Sequence, residues 1–288
     1  MDKNKHTLIN QHSNELAFKM YRFDDLHHFD HIQRLSYYSL IWVQEGAGKV
    51  IMDFNSYPYS DNYLFSFTPY QPFMFDAQTP TKGIIIHFHN DFFCIHKHHQ
   101  EVSCNGVLFN NIYEPPFVVI DPTSVQTMNL LIDGMEKDIE RNQLAMHESV
   151  LSYLKLFLIN CSRLKNDQNP QLTSTSKETT AITQKLKDLI ETDYRTKHSP
   201  KQYAEALNIT PKALAKISKQ HFNKTLTTLI SERIIIEAKR ELYLTDKPIK
   251  EIAAELGYDD EFYFSRFFKK NTNITPSFFR KTVGFHKA

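Results

Sequence analysis

Nowhere does the sequence hold the roughly 20 consecutive apolar residues that a helix needs to cross a bilayer. Its first fifteen residues, MDKNKHTLINQHSNE, are polar and lack the apolar stretch of a secretory leader, which predicts a cytoplasmic protein. The three cysteines (Cys94, Cys104, Cys161) form no Cys-x-x-Cys pair and are odd in number, and disulfide frameworks belong to oxidising compartments, so reduced thiols are expected. Glycine is scarce at 7 residues, and the formal net charge is only +1. What is plentiful is aromatic, 13% of the chain, within an ordinary hydrophobic share of 41% and a charged share of 23%. At 288 residues the chain is long enough for two domains, each with its own core.

The near-neutral total hides an asymmetry. Residues 1–176 carry 13 Lys+Arg against 19 Asp+Glu, whereas residues 177–288 carry 21 against 14. A basic C-terminal third suits a polyanion, because each neutralised phosphate releases condensed counterions. The texture changes along the chain as well. Between about 15 and 120, stretches such as SYYSLIWV, KVIMDF, YLFSF, GIIIHFH and FVVI are separated by turn-like clusters, which predicts short strands in a sandwich or small barrel. From 123 to 163 the apolar residues recur at helical spacing, giving two helices broken near 142–147. Residues 165–180, KNDQNPQLTSTSKETT, read as a polar linker, and everything from 181 to 288 is helical in pattern.

That last part contains an internal repeat. YAEALNITPKALAKISKQHFNKT aligns with IAAELGYDDEFYFSRFFKKNTNIT, first at an offset of 49 residues (Ala204 with Ala253, Leu207 with Leu256, Asn208 with Gly257) and then at 50 (Leu214 with Phe264, Lys216 with Arg266, Ile217 with Phe267, Lys219 with Lys269, Asn223 with Asn273). Each copy has the features of a helix-turn-helix: a proline near the start, an alanine where two backbones approach, a turn residue suited to positive φ, then a helix with one apolar and one basic face. Between the copies, LTTLISERIIIEAKRELYLT predicts a rod of roughly 30 Å, close to one turn of B-DNA.

Residues 252–281, IAAELGYDDEFYFSRFFKKNTNITPSFFRK, and the linker helix RIIIEAKRELYL resemble the AraC/XylS family of bacterial regulators, over about 110 residues from near 177 to the end. Asn223 and Asn273 depart from the glycines usual in that family, but Asn tolerates the left-handed region. The resemblance implies base contacts from Lys212, Ala215 and Lys216 in the first unit and from Glu261, Phe262, Tyr263 and Arg266 in the second. The chemistry agrees for several: Arg266 can bond bidentately to guanine, Lys212 and Lys216 can reach guanine or phosphate, and Phe262 can contact a thymine methyl. Lys219, Lys269 and Lys270 are candidates for phosphate. Asp259 or Asp260 can instead cap the helix.

Further upstream, WVQEGAGKVIMDFNSYPYSDNYLFSFTPYQPFMF resembles the cupin-like sensor domain that precedes many such DNA-binding units. The expected fold is therefore α+β in two domains: residues 1–164 as a cupin-like β-barrel with a helical appendage, a linker at 165–180, and residues 181–288 as an all-α double helix-turn-helix. A barrel of this kind can hold a small-molecule effector, with Trp42, Phe54, Phe65, Phe67, Phe75 and His87 as candidates for its inner wall. Alternation places His87 and His89 on one face with Ile85. The histidines from His87 to His99, with Cys94 and Cys104, are zinc-binding types, but no carboxylate or later histidine stands in fitting register, so no metal or other cofactor is expected. The resemblance implies a regulator of transcription, an activator and not an enzyme, acting as a homodimer on double-stranded DNA with RNA polymerase as partner. Two other readings stay open: a dimeric regulator that takes no ligand, and a metal-binding cupin enzyme with an appended DNA-binding module.

Overall fold

The computed structural model describes residues 5–10, 16–52, 55–95, 107–109, 111–168 and 177–283. The chain is α+β and divides into two compact units, one formed by the residues up to 168 apart from Ile112–Glu114, the other by that short segment and residues 177–283.

Among the described residues, nine strands build the first unit, in two antiparallel sheets. The larger has the order β1 (Lys5–Ile9), β2 (Leu16–Phe23), β8 (Lys82–Phe88), β3 (Tyr38–Glu45), β6 (Tyr63–Phe67), β9 (Phe117–Val119); the smaller has the order β5 (Asn55–Tyr59), β4 (Gly48–Met52), β7 (Phe73–Ala77). β1 precedes the expected start of the barrel near residue 15 and pairs with β2. In β4, buried and exposed residues alternate, the mark of a strand with one face on the core. The first six residues of β3 are all buried, because its sheet is covered on both sides. Ile41 and Val43 pack toward the smaller sheet with Phe65, Phe67, Phe73 and Phe75, while Tyr38, Leu40 and Trp42 join a second cluster with two helices.

Those helices are α1 (Pro122–Arg141) and α2 (Met146–Gln168). The Asp121 carboxylate caps α1 by accepting from the amides of Thr123 and Ser124. Left-handed residues at Asn142 (φ 46°) and Ala145 (φ 60°) make the expected break. Arg22 of β2 donates to Glu136 and Asp133 of α1 at 3.0 Å. α2 runs past residue 163 because its last turn is anchored: buried Lys165 donates to the Pro115 carbonyl, and the Gln168 side chain brackets the backbone of Val119. The stretch expected as linker, 165–180, is therefore helical at both ends, since the next helix begins at Lys177; its polar composition concealed the anchoring bonds.

Among the described residues, seven helices form the second unit: α3 (Lys177–Asp193), α4 (Pro200–Ala206), α5 (Pro211–Phe222), α6 (Leu226–Leu244), α7 (Ile249–Glu255), α8 (Glu261–Thr272) and α9 (Pro276–Val283). The pairs α4–α5 and α7–α8 are the two copies of the repeat. In each, an alanine is fully buried (Ala204, Ala253), and its carbonyl accepts from the residue after the turn, Ile209 at 3.0 Å and Tyr258 at 2.9 Å. Both turns use positive φ, Asn208 at 55° and Gly257 at 79°. At Gly257 a side chain has no room, because a Cβ would lie 2.0 Å from the Arg195 carbonyl oxygen. Pro248 stands at the N-cap of α7, directly before its first helical residue.

At 19 residues, α6 is about 28 Å long. It packs against α3, α5, α7, α8 and α9, so it is the spine of the unit. Its Glu237 is only 3% exposed and accepts from Arg195 at 3.1 Å, Arg233 at 3.2 Å and Arg240 at 3.0 Å. Arg233 also donates to Glu191 of α3 at 2.7 Å and lies 3.9 Å from the centre of the Tyr194 ring. Burial by itself would raise the pKa of Glu237, but the charges of Arg233 and Arg240 prevail and hold it below its ordinary value. A depressed carboxylate stabilises the fold above its unfolded pKa and loses that increment as pH falls through the folded one. Glu237→Gln leaves three guanidiniums without their carboxylate; two of them are half in solvent, so the expected loss is about 2–3 kcal/mol, toward the lower end for broken buried pairs. Hydrogen exchange of the α6 amides measures it: protection falls at pH 7, and the gap between variant and parent closes as the pH drops below 4.5. Equal protection at pH 7 contradicts the assignment.

Candidate nucleic-acid interface

The second helices of the two copies, α5 and α8, are built alike. Thr210 caps α5, its hydroxyl accepting from the Ala213 amide at 3.2 Å. Asp260 caps α8, one carboxylate oxygen accepting from Phe262 and the other from Tyr263, both at 3.0 Å. Both helices end on a left-handed Asn, Asn223 (φ 54°) and Asn273 (φ 66°), which does the work of a terminal glycine. The buried stripes also correspond: Leu214, Ser218 and Phe222 in α5, Phe264, Phe268 and Thr272 in α8. Spacing of four residues puts each triad on one side of its helix, and the opposite side is left to solvent.

On that solvent side stand most of the residues singled out from the sequence. Lys212, Ala215 and Lys216 are exposed on α5. On α8, Phe262 (74%), Tyr263 (58%) and Arg266 are exposed, whereas Glu261 is half-buried in the first turn. Arg195, Arg233, Arg240 and Arg280 of this unit are all tied into ion pairs or hydrogen bonds. Arg266 has no such tie to any described residue. Among the lysines marked for phosphate, Lys269 and Lys270 are exposed, and Lys219 donates to the Asn223 carbonyl at 3.2 Å, so it also closes its own helix. Asp260 is committed to capping, which removes it as a base acceptor. Phe267 is half-buried against the ring of Tyr258 at 5.3 Å. Tyr258 lies in the turn, packs on Tyr263, Phe264 and Phe267, and was not singled out from the sequence; its place directly after Gly257 was the available signal.

The expected effector wall separates into parts. Phe65, Phe67 and Phe75 line the space between the two sheets, but they pack on one another and on Phe73, with Phe67 stacked 3.8 Å from Phe73 and Phe65 edge-on to Phe75 at 5.5 Å. Trp42 does not belong to that wall. It faces the helices, 6.4 Å from the ring of Phe157, because alternation along β3 turns it away from Ile41 and Val43; its indole N–H has no acceptor among the described residues. Phe54 lies outside the described residues. His87 sits on the inner face in a row that crosses the large sheet, Lys19–His87–Ser39–Phe67, and its Nδ1 is 2.9 Å from the Ser39 hydroxyl. β8 ends at Phe88, so strand alternation stops before His89, whose Nδ1 is 3.3 Å from Asp91. His96, His98, His99 and Cys104 lie outside the described residues; among those described, no group of three or more His, Cys, Asp or Glu is placed to hold a metal ion. No helix among the described residues is long and apolar enough to cross a membrane.

Residues 203–282 match the family of helix-turn-helix domains. The raffinose operon transcriptional regulatory protein RafR of Pediococcus pentosaceus is 32% identical over 78 residues, 27% of this chain and 28% of that protein. The HTH-type transcriptional activator Btr of Bacillus subtilis is 35% identical over 118 residues, 41% of this chain and 22% of that protein. The chain thus spans about a quarter of the length of these relatives. Among solved structures, the C-terminal domain of AraT, a response regulator from Geobacillus stearothermophilus, is similar with a TM-score of 0.36 at 29% identity, covering 37% of this chain and 88% of that one.

The buried imidazole of His87 predicts a pH signature for the first unit. Burial, helped by the charges of Lys19 and His28, pushes its pKa down to about 3, so it is neutral in the fold and protonates more readily in the unfolded chain. The increment is complete above the ordinary value of 6.5 and is lost as the pH falls toward 3, with a limiting slope of about 1.4 kcal/mol per pH unit. Urea unfolding followed by the fluorescence of Trp42 measures this slope, and His87→Gln flattens it between pH 6 and 4. An unchanged slope in the variant contradicts a neutral buried imidazole.

Proposed function

We propose, on the premise that residues 203–282 are a helix-turn-helix domain of the AraC type, that this chain is a sequence-specific DNA-binding regulator of transcription that lays α5 and α8 in successive major-groove segments. One observation carries the reading: two helices of matching length and capping, each with an exposed face bearing cations, are both packed on a spine about as long as one turn of duplex. The regulatory relatives agree with it, and Btr, named an activator, supports activation through RNA polymerase. Lys212, Ala215, Lys216, Glu261, Phe262, Tyr263 and Arg266 contact bases in this scheme, and Lys219, Lys269 and Lys270 contact phosphate. The first unit serves to pair two copies of the chain, which gives four helices for a repeated site. The protein acts in the cytoplasm on chromosomal DNA and performs no chemistry of its own.

A second reading concerns control. Phe65, Phe67 and Phe75 already pack on one another between the sheets, which favours a regulator whose N-terminal unit holds no ligand against those rings. An effector, where one is used, belongs at the polar row of Lys19, His87 and Ser39, at which the inner face changes from aromatic to hydrogen-bonding.

Sites selected by the full chain from random duplexes test the main reading. On such a site, Arg266→Ala costs about 1–3 kcal/mol and relaxes the preference at one base pair. Lys269→Ala weakens specific and random DNA alike and flattens the salt dependence by about one unit of slope. Equal losses on specific and random DNA for Arg266→Ala remove that residue from base reading, and selection without any enriched sequence removes the function.

A further inference from the structure

The repeat that makes α5 and α8 alike also isolates where they differ. At the offset of 50 residues the buried positions correspond and so do the cations further along, Lys216 with Arg266 and Lys219 with Lys269. In the first turn the correspondence fails in chemistry: Lys212 is matched by Phe262, and Ala213 by Tyr263. Phe262 lies one helical turn before Arg266 on the exposed face, is 74% exposed, and makes no ring contact among the described residues. Tyr263, by contrast, leans on Tyr258 at 5.9 Å. The acid closest to Phe262 in the cap, Asp260, has both oxygens occupied by backbone amides.

A lysine at the leading position of a groove-reading helix finds hydrogen-bond acceptors on guanine, or a phosphate. A phenyl ring can neither donate nor accept in that way. The apolar group that an unmodified major groove displays is the C5 methyl of thymine. Resting on the DNA-binding function proposed above, we infer that Phe262 makes the second helix-turn-helix a reader of thymine methyls, so that the two halves of the target differ in kind: the half under α8 depends on thymine methyls, and the half under α5 offers an acceptor base or phosphate to Lys212 at the equivalent place. The target is then directional despite the internal repeat of the protein.

The full chain selects its site from random 40-base-pair duplexes, and each thymine of the selected site is then replaced in turn by deoxyuridine, which pairs identically and lacks only the methyl. Removal of a contacted methyl weakens binding about three- to fivefold, the worth of one buried apolar carbon, at one or two neighbouring thymines in the half-site under α8 of each bound copy. In Phe262→Ala the same replacements have no effect, and in Phe262→Lys renewed selection exchanges thymine for guanine at that place. Circular dichroism matching the parent shows that the variants fold, as the exposure of the ring predicts. Wild-type binding that ignores every deoxyuridine overturns the inference, and so does sensitivity that persists in Phe262→Ala, since the exposed ring then serves another surface. Either result leaves the regulatory function standing, because a sequence was still selected; enrichment of no sequence overturns both.

Discussion

One buried carboxylate holds the second unit in register. Glu237 stands on the spine helix, and its three guanidinium partners come from α6 itself and from the segment that follows α3. Such an arrangement tolerates little displacement: a guanidinium shifted by an ångström or two leaves a charge buried and unpaired, which costs more than the pair contributes. Arg233 adds the link to Glu191 and the Tyr194 ring, and Arg280 of α9 donates to the carbonyls of Leu242 and Lys247, closing the far end of the spine. Both α5 and α8 inherit their positions from α6, so their separation is set by charge pairing and apolar packing well away from their exposed faces. The residues that hold the interface and those that face outward are separate sets.

This separation explains what could be read from the chain directly. The repeat, its turn residues and the exposed cations were legible because each has a local cause: an alanine where backbones meet, a residue able to take positive φ, a cap three residues before its amide partner. The Asp260 cap and the left-handed Asn223 and Asn273 followed from such rules. The Glu237 cluster did not, because Arg195 and Glu237 lie 42 residues apart and periodicity says nothing about which surface charges meet. The end of α2 escaped for a similar reason: Lys165 and Gln168 look like linker residues until their partners at Pro115 and Val119 are known.

In the first unit the strands were legible and their facing was not. A strand buried on both sides reads as one apolar run, so β3 carries no sign in its sequence of which alternate residues meet the second sheet and which meet the helices. Trp42 faces the helices, whereas Phe65, Phe67 and Phe75 lie between the sheets, and nothing in the apolar run of β3 marks that difference. The density of ring-to-ring contacts there also shows what a high aromatic content does in a sheet domain short of glycine. Rings fill much of the space between the layers, and His87 with Ser39 sets a polar pair among them in one cross-strand row.

Gly257 gives the repeat a polarity. The turn of the first copy accommodates Asn208 with its side chain, but the equivalent turn of the second lies against the Arg195 carbonyl, where even a methyl would collide. The two halves are therefore not interchangeable parts. A chain assembled from two first copies would force apart the strand of backbone that carries Arg195 to Glu237, whereas glycine in both turns would fit. The side of the domain on which α3 lies is marked by an absence of atoms, and that absence distinguishes the two copies of the repeat.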